Sequence, residues 1–222
     1  MPSLSLVPLK RLWAGLLVVL ALTATSAQAI PIIRDAETER FLNDLAAPLL
    51  RAGGLGSDAV DIVIVKDSAI NAMVAGGANM FFNTGLITRT NRVEELSGVM
   101  AHEIGHIIGG HLIRTKDAQE AIRAKSLIGT ALGLGAAVLV GDTGVAQASV
   151  MGSRMLAQSS ILEYSRAQES VADQTAVLLL NAAGLSPVGL PSFLNELAKK
   201  DYLRASNPYW RTHPLSTERI RQ

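Results

Sequence analysis

Cysteine is absent from this chain of 222 residues. Its absence excludes disulfide bonds, metal sites built from thiolates and a lipid attached to an N-terminal cysteine. Any attachment to a membrane would therefore have to use apolar surface.

An excess of charge of one sign and a high aromatic content are also lacking. The formal net charge is +1 and aromatic residues make up 4% of the chain. Neither value favours a nucleic-acid partner, and we expect none. The length fits one globular domain.

The N-terminus carries a pattern typical of export. Lys10-Arg11 precede an apolar run from Leu12 to Leu22, and Ala27-Gln28-Ala29 follows. This order predicts a secretory signal peptide over residues 1–29, cleaved after Ala29, and favours a bacterial periplasm. An uncleaved membrane anchor is the alternative, although the apolar run is short for a span. The remaining residues, 30–222, carry 18 basic and 19 acidic side chains and form the predicted domain.

The pattern His-Glu-x-x-His occurs once, at His102, Glu103 and His106. On a helix, residues four apart project from the same face, as two imidazoles that share one ion must. The pattern therefore predicts a zinc hydrolase in which both histidines bind Zn²⁺ and Glu103 takes a proton from the attacking water. A buried helix whose histidines only satisfy hydrogen bonds is the alternative.

Periodicity supports a helix at this motif. Apolar residues recur at spacings of three and four, and Gly109-Gly110 supplies a stop, so we predict a helix from Asn91 to Gly109. Asn91 and Glu94 resemble a capping box. Upstream, the sequence predicts a helix over Glu37 to Leu50 and a buried strand over Ala59 to Val65.

Gly76-Gly77 predicts a hairpin turn between two short strands, the second being Met80 to Asn83. Such a strand could border the cleft as a sheet edge and bind an extended peptide, or be an ordinary structural hairpin.

A hydrolytic zinc needs a third protein ligand. A second helix is predicted over Ile161 to Ala183, with Ser160 and Glu163 as its capping box. It places Glu169 and Asp173 on one face. We assign Glu169 to the metal and Asp173 to a hydrogen bond with an imidazole N–H of the motif. A solvated charged face is the alternative.

Two further features are less specific. His111 is one position out of register for the third histidine of another zinc-peptidase class, so we expect it to cap or pack rather than bind metal. Leu127 to Val140 is uncharged but too short to span a bilayer. We expect it to pack in the core; a lid or a peripheral contact with a membrane is the alternative.

Together, His102-Glu103-x-x-His106 and Glu169-x-x-Ala-Asp173 resemble the gluzincin metallopeptidases that include HtpX, the type I CAAX prenyl protease and the periplasmic β-barrel assembly-enhancing protease. The resemblance implies an α+β, mainly helical fold: a zincin-like metalloprotease core with a small edge sheet beside the active-site helix. Periplasmic relatives often continue into tetratricopeptide repeats. No internal repeat is visible here, and we expect no repeat domain.

The segment from His213-Pro214 to Arg219 is similar to the family's His-Pro-x-x-x-x-Arg. By this resemblance His213 would lie near the metal, either stabilising the oxyanion or occupying the open position. A loop histidine is the alternative.

The predicted function is a zinc endopeptidase of the cell envelope. The resemblance implies unfolded or misassembled envelope proteins as its polypeptide substrates, a task of quality control. A chaperone-like periplasmic binding factor with a resting or structural zinc is the competing hypothesis. The sequence does not indicate an oligomeric state.

Overall fold

The computed structural model describes residues 31–201, 208–214 and 219. The predicted signal peptide and its cleavage after Ala29 lie outside this part of the chain. All the elements described below belong to one unit, Ile32–Gln222.

Four short strands form one sheet with the order β1-β2-β4-β3. They are β1 (Ile32–Ile33), β2 (Asp61–Val65), β3 (Ala72–Ala75) and β4 (Asn79–Asn83). The strand predicted from the β-branched run is thus confirmed as β2. It pairs antiparallel with β1 and parallel with β4, while β3 pairs antiparallel with β4.

The predicted hairpin turn is confirmed, because Gly76 and Gly77 join β3 to β4 with φ of 61° and 100°. Of the two alternatives for Met80–Asn83, the sheet edge is wrong. Met80 and Phe82 are fully buried, and β4 lies between β2 and β3, which cover it from both sides. The edge strand next to β4 is β3, whose Met73 and Val74 are half-buried.

The first helix, α1 (Ala36–Ala52), confirms the prediction over Glu37 to Leu50 and extends it slightly. The side chain of Asp35 caps it by accepting from Thr38 N at 2.7 Å. After β4 comes the short α2 (Thr84–Arg89).

The central element is α3 (Val93–Ile108), the helix predicted from the His-Glu-x-x-His motif. Every residue from Glu95 to Gly105 is buried. The predicted capping box of Asn91 and Glu94 is wrong. The N-cap is Arg92, whose side chain makes no capping hydrogen bond. The side chain that accepts from Asn91 N, at 2.9 Å, is that of Glu95 and not that of Glu94. The helix therefore begins two residues later than predicted.

Two long helices follow and form an antiparallel hairpin. They are α4 (His111–Val140) and α5 (Thr143–Ala182), joined at Gly141 and Asp142. The capping box at Ser160 and Glu163 is wrong, since Asp142 caps α5 by accepting from Gly144 N at 2.7 Å. The helix predicted from Ile161 is only the second half of α5.

The expected core packing of Leu127 to Val140 is also wrong. This run is the second half of α4, and only Ala137 in it is buried. The described part of the chain has one helix, α4, that is long and apolar enough to cross a membrane, judged by length and composition alone.

Two further helices complete the fold. α6 (Gly189–Asp201) packs on α3, and the short α7 (Pro208–Thr212) leads into His213. The result is a mainly helical α+β structure with α3 at its centre, as expected.

Candidate metal centre

The two motif histidines lie one turn apart on α3 and converge. His102 Nε2 and His106 Nε2 are 3.1 Å apart. His102 is fully buried, whereas His106 borders a cavity of about 860 Å³. The spacing of four residues thus does bring both imidazoles to one point, as helix geometry requires.

Helix α5 reaches this point because α3 carries a glycine there. A Cβ placed on Gly105 would lie 2.9 Å from Ala172 O, so only glycine permits this approach. Ala172 lies between Glu169 and Asp173 in the same helix. The close approach therefore carries both carboxylates to the histidines, and Glu169 and Asp173 are both buried.

Four side chains supply atoms to one small volume. These are His102, His106, Glu169 and His213, whose potential ligand atoms all lie within 4.8 Å of one another. Glu169 Oε2 is 3.2 Å from both His102 Nε2 and His213 Nδ1, and Glu169 Oε1 is 3.3 Å from His106 Nε2. His213 Nδ1 is also 3.2 Å from His102 Nε2.

Glu103 lies beside this cluster without being part of it. Its side chain is fully buried, and neither carboxylate oxygen makes a hydrogen bond in the described part of the chain. His213 Nε2 lies 3.4 Å from Glu103 Oε1. A buried carboxylate without partners is costly, so its place here indicates a use other than stability.

Asp173 holds the other side of the His102 ring, with Oδ1 2.8 Å from Nδ1. Arg219 in turn donates to both Asp173 oxygens, from Nε at 2.7 Å and from Nη2 at 3.0 Å. Arg219 Nη1 is also 2.8 Å from Glu169 Oε2. A buried guanidinium thus orients both carboxylates, and this pairing is what allows three charges to be buried together.

These contacts shift the protonation of the site. Burial alone lowers the pKa of His102, but hydrogen bonds with Asp173 and Glu169 raise it to about 9. Burial raises the pKa of Glu169, and hydrogen bonds from the three surrounding histidines outweigh this and hold it well below its usual range. A carboxylate that stays ionised inside the protein is suited to bind a cation.

The sequence profile of Peptidase family M48 matches residues 33–222. The chain belongs to peptidase family M48. It is 27% identical over 192 residues to a β-barrel assembly-enhancing protease of Yersinia pestis, covering 86% of this chain and 39% of the relative. It is 29% identical over 158 residues to the metalloprotease LoiP of Escherichia coli K12, covering 71% of this chain and 58% of LoiP.

A protease HtpX of Cronobacter sakazakii is 34% identical over 98 residues, which is 42% of this chain and 32% of that protein. The chain spans about two-fifths of the length of the assembly-enhancing proteases it matches. Membership of family M48 implies a metal cofactor.

The geometry of the M48 site fits such a cofactor. Ligand atoms about 2.0–2.2 Å from a tetrahedral metal ion are roughly 3.4 Å apart. Here the close contacts among the four side chains run from 3.1 to 3.3 Å, and all their potential ligand atoms lie within 4.8 Å of one another. Two imidazole nitrogens and a carboxylate oxygen facing one point at this spacing are a ligand set of the kind zinc takes.

His111 lies outside the ligand cluster. It begins α4, and its Nδ1 is 2.9 Å from His106 Nδ1, so one of the two nitrogens donates to the other. Burial lowers the pKa of His111 to about 4, which keeps its ring neutral and able to accept. All four histidines of the M48 chain therefore meet at this site.

The cavity beside the metal centre is bordered by the edge strand β3, the motif helix and the first turns of α4. Because Asn83 N bonds to Asn71 O in the β3–β4 pair, the alternating antiparallel pattern turns the backbone groups of Ala72 and Val74 towards the open edge. His213 Nε2 donates to Ala72 O at 3.2 Å.

Sequence reasoning missed two of these partners. In the sequence Arg219 stands out only as the last residue of the His-Pro-x-x-x-x-Arg segment, and no pattern pairs it with Asp173 and Glu169. A buried carboxylate that contacts an imidazole through one oxygen still needs a hydrogen-bond donor for the other oxygen. This requirement is the signal that points to a basic partner for Asp173. The link from His213 to the edge strand had no sequence signal, since it joins residues 141 positions apart.

Proposed function

We propose that this chain is a zinc-dependent endopeptidase of the cell envelope that hydrolyses peptide bonds of unfolded or misassembled envelope proteins. The observation that carries the proposal is the four-ligand cluster with the buried, unbonded Glu103 at its side.

In this proposal His102, His106 and Glu169 hold the zinc, and Asp173 fixes the tautomer of His102. The contact of Asp173 with His102 Nδ1 supports this, because it leaves Nε2 free to bind the ion. When bound, zinc supplies Lewis acidity next to the cavity. Glu103 accepts a proton from the attacking water and delivers it to the departing amine. A zinc that served only structure would need no such base.

The substrate would lie along β3. The open edge offers the backbone groups of Val74 beside the cavity, and these can pair with any extended peptide. Main-chain pairing gives affinity with little sequence preference, which suits clients that share only a lack of folded structure.

The envelope assignment rests on the relatives and on the predicted signal peptide. The names of two relatives are β-barrel assembly-enhancing protease and metalloprotease LoiP. Client proteins of the envelope are consistent with those names, and residues 1–29 would direct the chain to the periplasm.

The decisive test is Glu103→Gln. The exchange keeps the shape of the side chain but removes the base, so casein cleavage should fall by roughly 10²–10⁴-fold while metal analysis finds unchanged zinc. Glu94→Gln, on the exposed first turn of the same helix, is the matched control and should cleave normally. If Glu103→Gln still cleaves casein, the assignment of catalysis to this site is wrong. If the unmodified chain and Glu103→Gln both fail to cleave yet both suppress client aggregation, the binding-factor hypothesis replaces the peptidase.

For His213 we propose that it occupies the fourth corner of the metal site in a resting form. Its Nδ1 is as close to Glu169 and His102 as these are to each other. His213→Ala should therefore raise casein cleavage, by roughly tenfold if about a tenth of the molecules are open at rest. A fall in cleavage would instead assign His213 to the oxyanion, and no change would leave it a packing role.

A further inference from the structure

In the distal half of the α4–α5 hairpin, the distribution of small and large apolar side chains is the opposite of that in a water-soluble helix pair. Between its helices lie small residues: Ser126 Oγ donates to Ser153 O at 3.3 Å, and a Cβ on Gly133 would collide with Ser149. Ala137 is the one buried residue between 126 and 153. We call residues 126–153 the hairpin tip.

Large apolar side chains of the tip point outwards instead. Leu127, Leu132, Val138 and Leu139 are 71%, 71%, 82% and 89% exposed. In water an amphipathic helix turns its large apolar residues towards its partner. Helices packed in lipid show the opposite arrangement: small residues lie between the helices, and large apolar residues face outwards.

Charge marks where the apolar surface ends. Between residues 126 and 153 the only charged side chain is Asp142. Lys125 and Arg154 flank the tip, and the contact between Ser126 and Ser153 puts them at the same level of the hairpin. Arg123, two residues before Lys125, adds a third cation. Basic side chains at the border of an apolar helix surface match the phosphates of anionic lipids.

We propose that the hairpin tip docks on an anionic lipid bilayer through the outward face of α4. A bilayer fits better than a second copy of the chain. Two tips packed side by side would bring together the basic side chains at their borders, which repel one another. Docking along the surface fits better than crossing, because Asp142 at the turn is charged and costly to place in hydrocarbon.

The docked orientation has a consequence for the cavity. His111 and Thr115, at the start of α4, line it. Lys125 lies fourteen positions after His111 on the same helix, which is roughly 21 Å along its axis at 1.5 Å per residue. The cavity would therefore lie about that far along α4 from the border of the docked tip. The inference is independent of the peptidase activity, since it rests only on the tip.

Because the chain has no cysteine, one dye can be placed at a chosen site. Gly135→Cys is exposed on the outward face of α4 and removes none of the large side chains; Leu178→Cys, at the core end of α5, is the control. Each protein is labelled with an environment-sensitive dye and mixed with phosphatidylethanolamine–phosphatidylglycerol vesicles. The fluorescence emission of the dye at position 135 should shift to the blue, and that of the dye at position 178 should not.

Both proteins share the same N-terminus, so an anchor there cannot produce the difference. A label at 135 that keeps its aqueous emission with these vesicles overturns the proposal. A blue shift that grows with protein concentration in the absence of vesicles also overturns it and points to a second copy of the chain.

A second measurement uses vesicle partitioning of the unlabelled chain, with folding checked by circular dichroism. Leu132→Gln combined with Leu139→Gln should lower the partition coefficient at least about tenfold, and Leu178→Gln should not. Replacing Lys125 and Arg154 by serine should lower binding to anionic vesicles several-fold and reduce its salt dependence. Unchanged partitioning of both variants would contradict the proposal.

Discussion

The two long helices behave differently at their two ends. Where α5 packs on the motif helix, Glu169, Ala172, Asp173, Ala176 and Leu180 are buried, and polar groups are satisfied by partners on other elements. At the hairpin tip the same two helices contact each other, and their large side chains face outwards. The hairpin thus contributes to the candidate metal centre at its root, the end that packs on α3, and presents an apolar surface at its tip.

This difference shows that helical structure and burial are set by separate features of the sequence. Neither end contains proline, so nothing in either end interrupts the helices. Only the root has a partner to pack against. In water, without a bilayer, the tip should therefore be the less stable part of the hairpin, since few buried apolar contacts hold it.

The largest expected effect of a root substitution comes from Glu169→Ala. Its carboxylate contacts both motif histidines and His213, so removing it should lower zinc affinity at least about 100-fold, measured by metal titration, and abolish casein cleavage. Because Arg219 also pairs with this carboxylate, alanine could unfold the site. Glu169→Gln keeps the volume and should lose zinc as well.

Glu163→Ala is the matched control for that substitution. Glu163 lies on the same helix, six residues earlier, and is exposed. It should keep both zinc and activity. If Glu169→Gln keeps full zinc content, Glu169 is not a metal ligand and the root of the hairpin has another role.

Much of the root could be predicted because its signals are local or carry specific chemistry. The spacing of His102 and His106 fixes their common face on a helix, and Glu169 follows as the missing donor. In the sheet, the turn between β3 and β4 could also be predicted, because Gly76 and Gly77 are residues that tolerate positive φ. Each of these inferences needed only a few neighbouring residues or one rule of metal chemistry.

The tip could not be predicted in the same way. Leu127 to Val140 has the composition of a core segment, and composition does not say whether a partner exists. Likewise, the place of β4 inside the sheet depends on its parallel pairing with β2, a contact between distant parts of the chain. The direct partner of Asn91 differed by one residue because Glu94 and Glu95 are both available in the first turn of α3.

A smaller effect, and the sharpest comparison of root and tip, comes from adding one methyl group to each. Gly105→Ala places a Cβ 2.9 Å from Ala172 O and 3.1 Å from Ala172 Cα, so the backbones of α3 and α5 must move apart. Such overpacking costs about 1–3 kcal/mol, to be measured by urea unfolding. Zinc affinity should fall with it, because Glu169 and Asp173 move with α5.

Gly135→Ala is the same substitution at the tip, where nothing lies within 4 Å of the added Cβ. It should leave zinc affinity unchanged and stabilise the helix by up to about 1 kcal/mol, since alanine has the higher helix propensity. Equal zinc affinities for the two variants would mean that the close approach at Gly105 does not position the carboxylates. The opposite signs expected at the two ends follow directly from a root that is packed and a tip that is not.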